Sequence, residues 1–247
     1  MSTLRSRSFP PGAASSVLVA TVASFIGLIS AAMIAYPGGT AWDATTRGNS
    51  FWLNYLCDLE RRVALDGRPN ATGSLLAQAA LLILALGLVL FWWRLPHMFP
   101  ARVRLGRAVR ALGSLALGGT AAVALLPSDR FPSIHPLALI VAGVPSLVAA
   151  SLAVVGMPRE ERAARTVGAA ALLVSGADFA LYVWEVGGHG PALRAEAALE
   201  RVSLLLVLAW MCTVAHRLGW LSSKERPPPA PSPVPASARP SASRRPA

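Results

Sequence analysis

Ser74–Trp93 reads SLLAQAALLILALGLVLFWW and contains no charged residue. A helix that crosses the hydrocarbon core of a membrane needs about 20 predominantly apolar residues. Five other stretches have the same character, so the sequence predicts an all-α bundle of six membrane-spanning helices. The predicted spans are Ser16–Tyr36, Ser74–Trp93, Ala108–Leu126, Pro136–Val155, Thr166–Trp184 and Ala197–Ala215.

The composition supports a single membrane domain. Of the 247 residues, 54% are hydrophobic and 14% are charged, whereas a soluble domain is about 25% charged. We predict a short N-terminus over residues 1–15, a membrane domain over 16–220 and a disordered tail over 221–247, because the tail is rich in Pro, Ala, Ser and Arg. The first span is longer than the roughly 7–15 apolar residues of a signal peptide, so we expect it to be retained as a helix.

The basic residues predict an orientation. With six spans, sixteen Lys and Arg residues lie on the side of both termini and seven lie on the other side. Basic residues concentrate on the cytoplasmic side, and the composition is typical of a bacterium. We therefore predict a protein of the bacterial cytoplasmic (inner) membrane with cytoplasmic termini. The net charge of +11 is divided among loops that flank the spans, so the expected partners are membrane lipids and a small-molecule ligand, with no nucleic acid.

The first outer loop contains a helical pattern. Trp52, Tyr55, Leu56, Leu59 and Val63 recur at helical spacing. Polar residues, including Asn54 and Asp58, take the other face. The pattern predicts a short amphipathic helix that lies on the outer leaflet or caps the bundle.

The fifth span carries the sharpest functional signal. Ser175, Asp178, Tyr182 and Glu185 are spaced three, four and three residues apart, so they share one face of one helix. An ionisable residue inside a membrane is a candidate functional residue by default. The alternative is a structural hydrogen bond to a neighbouring helix.

The sixth span has a matching polar face. Glu196, Glu200 and Ser203 share that face by the same spacing. A short loop makes the fifth and sixth spans antiparallel neighbours, so we expect Glu200 to approach the polar face of the fifth span. Arg194 or Arg201 could neutralise one of the acids, and a purely structural ion pair remains an alternative.

A third polar element joins the third and fourth spans, where Ser128, Asp129 and His135 lie on a proline-rich loop. Asp129 and His135 could share a proton or a metal, or could belong to an ordinary polar loop. A metal, if present, would be held by His135, Asp129 and Asp178. A catalytic zinc usually takes about three protein ligands, often His, and the outer side has only two histidines, His135 and His189. We therefore predict no metal and no other cofactor, and the sequence identifies no catalytic residue.

These elements predict one polar, acidic pocket at the outer face. The candidate ligand-binding residues are Asn54, Asp58, Asn70, Ser74, Gln78, Ser128, Asp129, His135, Asp178, Tyr182, Glu185 and Glu200.

Several segments resemble a known bacterial family. They are Tyr36-Pro37-Gly38-Gly39, Asn49-Ser50-Phe51, Asn54–Leu59, Gly67 with Asn70 and Ser74, and Leu126–Asp129 with His135. In these segments the chain resembles a family of six-helix membrane proteins of unknown function, which is loosely similar to the damage-regulated autophagy modulator type. Cys57 and Glu60 depart from the pattern, where Ser and Gly are expected. The resemblance covers the first four spans well and the last two weakly, and it implies a fold but no activity.

Three functional hypotheses remain open at the level of sequence. The first is a non-enzymatic membrane protein whose outer pocket binds a small molecule or a lipid headgroup. The second is a metal-dependent hydrolase acting on a lipid, because the chain has a weaker resemblance to alkaline-ceramidase-type hydrolases. Glu200 and Ser203 occupy the region where those enzymes carry paired histidines. The third is a structural or assembly subunit.

Overall fold

The computed structural model describes residues 11–190 and 193–224. These residues contain seven α-helices and one 3-10 helix, Leu95–Met98, and no named β-strand. The α-helices are α1 (Pro11–Ala35), α2 (Leu56–Glu60), α3 (Ala71–Arg94), α4 (Val103–Leu125), α5 (His135–Gly156), α6 (Arg162–Val186) and α7 (Arg194–Lys224).

Six of these helices are long and apolar enough to cross a membrane, namely all except α2. The prediction of an all-α protein with six such helices is therefore confirmed. The helices extend beyond several predicted spans: α6 begins at Arg162 and α7 ends at Lys224. The helices are longer because helical backbone hydrogen bonds continue into the polar residues that flank each apolar run, and the predicted spans include only the apolar runs.

The predicted domain limits differ slightly from the helix ends. Helix α1 begins before residue 16, and α7 continues through the first residues of the predicted tail. Residues 1–10 and 225–247, which include most of that tail, lie outside the described residues.

The six long helices form a closed ring. Each packs against the next in the chain, and α1 contacts α7 to complete the circle. Among consecutive long helices, α5 and α6 have the least extensive contact. Small residues allow close packing in such bundles. A Cβ atom on Gly119 would lie 2.3 Å from the backbone nitrogen of Ala142, so only glycine lets α4 approach α5 this closely.

Residues 36–70 form a folded loop between α1 and α3, and we call the end of the bundle that carries it the loop end. Gly39 has a φ angle of +84°, and a Cβ atom there would lie 2.4 Å from the Asp66 nitrogen. Its left-handed conformation therefore belongs to glycine. The Tyr36 hydroxyl accepts a hydrogen bond of 3.1 Å from the Leu65 backbone, which ties the loop to the end of α1.

Helix α2 is shorter than the predicted amphipathic helix, and it packs against the bundle. Asp58, Leu59 and Glu60 are all buried, whereas Trp52 and Val63 are exposed. The reason is that α2 packs against α3 and is held by polar contacts to α7, described below. Its acidic residues therefore point into the protein.

Candidate ligand-binding cavity

A cavity of about 480 Å³ lies inside the ring at the loop end. Helices α3 to α7 supply its walls, and residues 55–60 cover it. The volume falls within the roughly 300–1,000 Å³ of typical small-molecule sites. Its apolar wall includes Leu81, Val123, Leu139, Leu147, Leu204 and Val207.

Five carboxyl groups line the same cavity. They belong to Glu60 of α2, Asp178 and Glu185 of α6, and Glu196 and Glu200 of α7. No Lys, Arg or His occurs among the described residues that line it. The cavity therefore combines an apolar wall with a strongly acidic one.

The polar faces of α6 and α7 meet as their spacing predicts. The hydroxyl groups of Ser175 and Ser203 lie 2.6 Å apart and form a hydrogen bond between the two helices. Toward the loop end, Asp178 and Tyr182 follow Ser175 along α6, and Glu200 precedes Ser203 on α7. The serine pair thus lies on the far side of the acids from the loop.

Two acids of α7 hold the segment that covers the cavity. Glu200 accepts a 2.8 Å hydrogen bond from the Leu56 backbone nitrogen through its Oε2 atom. The Tyr55 hydroxyl donates a 3.3 Å hydrogen bond to Oε2 of Glu196. Burial raises the pKa of Tyr55, and the negative charge of Glu196 adds to this effect. The phenol therefore stays protonated and serves as a donor.

Glu60 differs from the other acids because its side chain is fully buried and has no partner. Neither carboxyl oxygen has a hydrogen bond to any residue that the structure describes. Burial raises the pKa of this carboxyl well above its usual range, and the negative charge of Glu200 adds to the shift. A buried polar group without a partner costs free energy, so this carboxyl is the strongest sign of an unmet interaction in the cavity.

The backbone around Glu60 is fixed from α3. The Ser74 hydroxyl donates a 2.6 Å hydrogen bond to the Glu60 carbonyl oxygen. The Asn70 Nδ2 group donates to the carbonyl oxygens of Leu59 and Arg61 at 3.0 and 2.9 Å. Gln78 donates to Ser74 at 3.4 Å. Asn70, Ser74 and Gln78 therefore position the segment that carries Glu60, and none of them lines the cavity.

Asn54 and Asp58 also make structural contacts. Asn54 Nδ2 donates to the Gly39 carbonyl at 2.8 Å and to Asp58 Oδ2 at 3.0 Å. The same Asp58 oxygen accepts a 2.9 Å bond from the Tyr55 backbone nitrogen. Burial raises the pKa of Asp58, and the bond from Asn54 opposes that shift.

The loop between α4 and α5 docks onto the same segment. Asp129 Oδ2 accepts hydrogen bonds from the backbone nitrogens of Arg62 and Val63, at 2.8 and 3.2 Å. The buried His135 bonds through Nδ1 to the Leu126 carbonyl at 2.7 Å. Ser128 lies in the same loop, between α4 and α5. We use the name loop network for the residues with these backbone and side-chain bonds: Asn54, Asp58, Asn70, Ser74, Asp129 and His135.

The three residues predicted to hold a metal, if one is present, do not form a metal-binding group. Asp178 lines the cavity, while Asp129 and His135 are engaged in the loop network. Within the described ranges, no group of three or more His, Cys, Asp or Glu side chains has a geometry that could hold a metal ion.

Arg201 is a buried cation beside the cavity. Its Nε and Nη2 atoms donate to the backbone carbonyls of Phe51 and Asn54, at 3.2 and 2.9 Å. Its guanidinium carbon lies 5.6 Å from the centre of the Phe51 ring. The charge of Arg201 acts on Glu200 and Asp58, two of its nitrogen atoms hold the loop, and its Nη1 atom has no partner among the described residues.

Of the twelve candidate residues, four line the cavity: Asp178, Tyr182, Glu185 and Glu200. The set omits other polar lining residues, among them Tyr55, Cys57, Glu60, Ser175, Glu196 and Ser203. Ser175, Glu196 and Ser203 lie on the two polar helix faces that the spacing identifies. For Glu60 the sequence offers no such signal, because its position depends on how the loop folds back over the ring.

The sequence matches no protein-family model, and neither a curated protein nor a solved structure shows significant similarity to it.

Proposed function

We propose that the chain is an integral protein of a bacterial cytoplasmic membrane, with both termini in the cytoplasm. Six helices of sufficient length and apolar character support insertion. Sixteen basic residues on one side against seven on the other support the orientation. Reporter fusions at Gly67 and Gly188 should lie outside the cytoplasm, and fusions at Arg104 and Ser223 inside it. A cytoplasmic Gly67 fusion would contradict the orientation.

The protein's function, in this proposal, is to bind a small molecule or a lipid headgroup in the cavity at the loop end. The observation that carries it is the buried, unpartnered Glu60 carboxyl in a cavity of about 480 Å³ that also has an apolar wall. Small-molecule sites are typically concave and mostly apolar, with a few converging polar groups.

The hydrolase and the structural subunit remain predictions, and no specific contact favours either. The resemblance to the bacterial six-helix family is likewise a prediction that supports the fold alone.

Filling the cavity tests the binding function. Ser146 lines the cavity on α5, whereas Val148 on the same helix is 44% exposed. Native mass spectrometry of protein purified from its own membrane should show a bound molecule on the wild type. The molecule should be lost from Ser146→Trp and retained by the matched control Val148→Trp. Equal occupancy of all three proteins, or none in any, would contradict the proposal.

A further inference from the structure

The charge pattern of the cavity indicates the class of ligand. The lining acids are Glu60, Asp178, Glu185, Glu196 and Glu200, and no basic side chain faces them among the described lining residues. We propose, building on the binding function above, that the ligand is a lipophilic amine: an organic cation with an ammonium group, an apolar body and no phosphate.

The arrangement of the walls fits an amphiphile. Along α7, Glu196 and Glu200 come first, followed by Ser203 and then by Leu204 and Val207. At 1.5 Å per residue, Val207 lies about 10 Å below Glu200. The acidic end of the cavity is therefore next to the loop, and the apolar end lies deeper in the bundle. A ligand with a cationic end and a hydrocarbon end matches both walls.

Glu60 supplies the second, independent observation. Both oxygens of this fully buried carboxyl lack a partner within the described chain. The buried hydroxyl of Tyr182, a lining residue on α6, also lacks one. An ammonium group carries up to three donors, and a hydrogen bond between charged groups is stronger than a neutral one. A bound ammonium would thus satisfy acceptors that the protein leaves unmet.

A ligand that carries phosphate does not match these walls. Phosphate is recognised in proteins by Arg or Lys or by helix N-termini. Arg201 is a buried cation that does not line the cavity, and its Nε and Nη2 atoms donate to the carbonyls of Phe51 and Asn54, while Nη1 has no partner among the described residues. A phospholipid headgroup would place its anionic phosphate among the acids, where like charges repel.

A bare metal ion fits less well than an organic cation. Metal ions need several ligands converging at short distances. Among the described residues, no group of three His, Cys, Asp or Glu side chains has that arrangement. The five acids come from three helices, α2, α6 and α7, which suits a larger cation whose donors point in several directions.

Binding should also move protons. Burial keeps the pKa of Glu60 high in the empty cavity, and a neighbouring cation favours the ionised form. Binding a cation should therefore release protons, and affinity should rise with pH. Of the other titratable and charged groups, Glu200 of α7 acts on Glu60 directly. The rest line the same cavity or act on its lining residues: Tyr55, Cys57, Asp58 and Arg61 from the loop segment, Asp178, Tyr182 and Glu185 from α6, and Glu196 and Arg201 from α7. Described residues of α3, α4 and α5 place no such group on the cavity wall.

Cys57 provides a reporter inside the cavity. It lines the wall beside Glu60, and the other cysteine, Cys212, can be removed by Cys212→Ala. Burial raises the pKa of the Cys57 thiol, and the negative charge of Asp58 adds to this. All labelling rates must therefore be compared at one pH. The full-length Cys212→Ala protein in lipid nanodiscs is labelled with a neutral methanethiosulfonate reagent while a probe competes.

The probes share a chain and differ in charge: decylammonium, decanol and decanoate, with lysophosphatidylethanolamine as a phosphate-bearing ammonium. We expect decylammonium to protect Cys57 at about tenfold lower concentration than the other three, a difference of about 1.4 kcal/mol. Glu60→Gln should weaken protection by decylammonium about tenfold. The matched control Glu160→Gln removes an exposed acid at the opposite end and should leave protection unchanged.

Each other outcome counts against a defined part of the account. Equal protection by decanol or decanoate would overturn the cationic ligand but leave a binding cavity. Equal protection by lysophosphatidylethanolamine would overturn the exclusion of phosphate. Full protection of Cys57 in Glu60→Gln would show that Glu60 does not contribute to ligand binding. Protection by none of the four probes, in a protein that also carries no molecule sensitive to Ser146→Trp, would contradict the binding function itself.

Discussion

The loop network and the cavity lie side by side at the loop end, and both bury polar side chains, but they use them differently. In the loop network, Asn70 donates to backbone carbonyls and Asp129 accepts from backbone nitrogens, although the Oδ1 atom of each has no partner among the described residues. In the cavity, Glu60 and Tyr182 present polar atoms that have no partner among the described residues. Most buried polar groups in proteins are hydrogen-bonded, so Glu60 and Tyr182, whose side chains make no hydrogen bond in the described part of the chain, are exceptions.

This difference shows why burial of a polar residue does not by itself indicate a functional site. Asn54 and Glu60 are both 0% exposed. Asn54 bonds to Gly39 and Asp58 and stabilises the loop. Glu60 is held by its backbone and lines the cavity, and neither oxygen of its carboxyl has a partner among the described residues. Substitutions in the two regions should therefore separate stability from binding.

The largest loss of stability should come from Asn70→Ala. The change removes both side-chain bonds to the Leu59 and Arg61 carbonyls, and each buried group left unpaired costs about 1–3 kcal/mol. We expect the free energy of unfolding in detergent to fall by about 2–4 kcal/mol. Asn49→Ala is the matched control because Asn49 Nδ2 has no partner in the described part of the chain. A similar loss in both variants would contradict the role of the network.

His135→Ala should give a smaller loss without affecting the ligand. It removes the 2.7 Å bond to the Leu126 carbonyl, which predicts a loss of about 1–3 kcal/mol by chemical unfolding. Protection of Cys57 by decylammonium should be unchanged, because His135 does not line the cavity. His189→Ala, at an exposed position, is the control. Loss of Cys57 protection without a loss of stability would show that His135 takes part in ligand binding.

Ser175→Ala tests the hydrogen bond between α6 and α7. It breaks the 2.6 Å bond to Ser203, and we expect a loss of about 1 kcal/mol. Ser151→Ala, which removes only a bond to the preceding turn of its own helix, should cost less. Thermal unfolding of the two variants in the same detergent makes the comparison. An unchanged unfolding temperature for Ser175→Ala would show that this hydrogen bond does not stabilise the bundle.

Glu60→Gln should cost the least stability and should become favourable at high pH. Burial raises the folded-state pKa of Glu60 well above its usual value of 4.5. Its favourable contribution is therefore complete below about pH 4.5 and is lost as pH rises through the folded pKa. Wild type and Glu60→Gln should have equal midpoints in acid, and the variant should be more stable by about 1–3 kcal/mol in alkali. A variant that is less stable at every pH would show that Glu60 has a structural role.

The helical part of the structure could be predicted because its physics is periodic and local. Apolar runs of sufficient length predict the six long helices, and residue spacing places Asp178, Tyr182 and Glu185 on one face of α6. The short connection from α6 to α7 brings Glu200 to the same cavity. These inferences need only the helix repeat and the order of the helices.

The loop could not be predicted in the same way because its course depends on specific contacts. Gly39 turns the chain with a positive φ angle, and Asn70 and Ser74 fix the carbonyls around Glu60. These contacts place Glu60 at the cavity. Asn54, Asp58 and Asp129 instead form hydrogen bonds within or to the loop and do not line the cavity. No spacing rule separates these acids, since the outcome is decided by which backbone groups lie within reach.

Proton release on binding tests the central claim most directly, namely that the unpartnered Glu60 carboxyl takes part in binding a cation. Decylammonium is added to the full-length protein in weakly buffered solution near neutral pH, and the pH change is recorded. We predict that wild type releases protons as binding saturates and that Glu60→Gln releases fewer, while Glu160→Gln behaves as wild type. No release from wild type, or equal release from wild type and Glu60→Gln, would contradict the account.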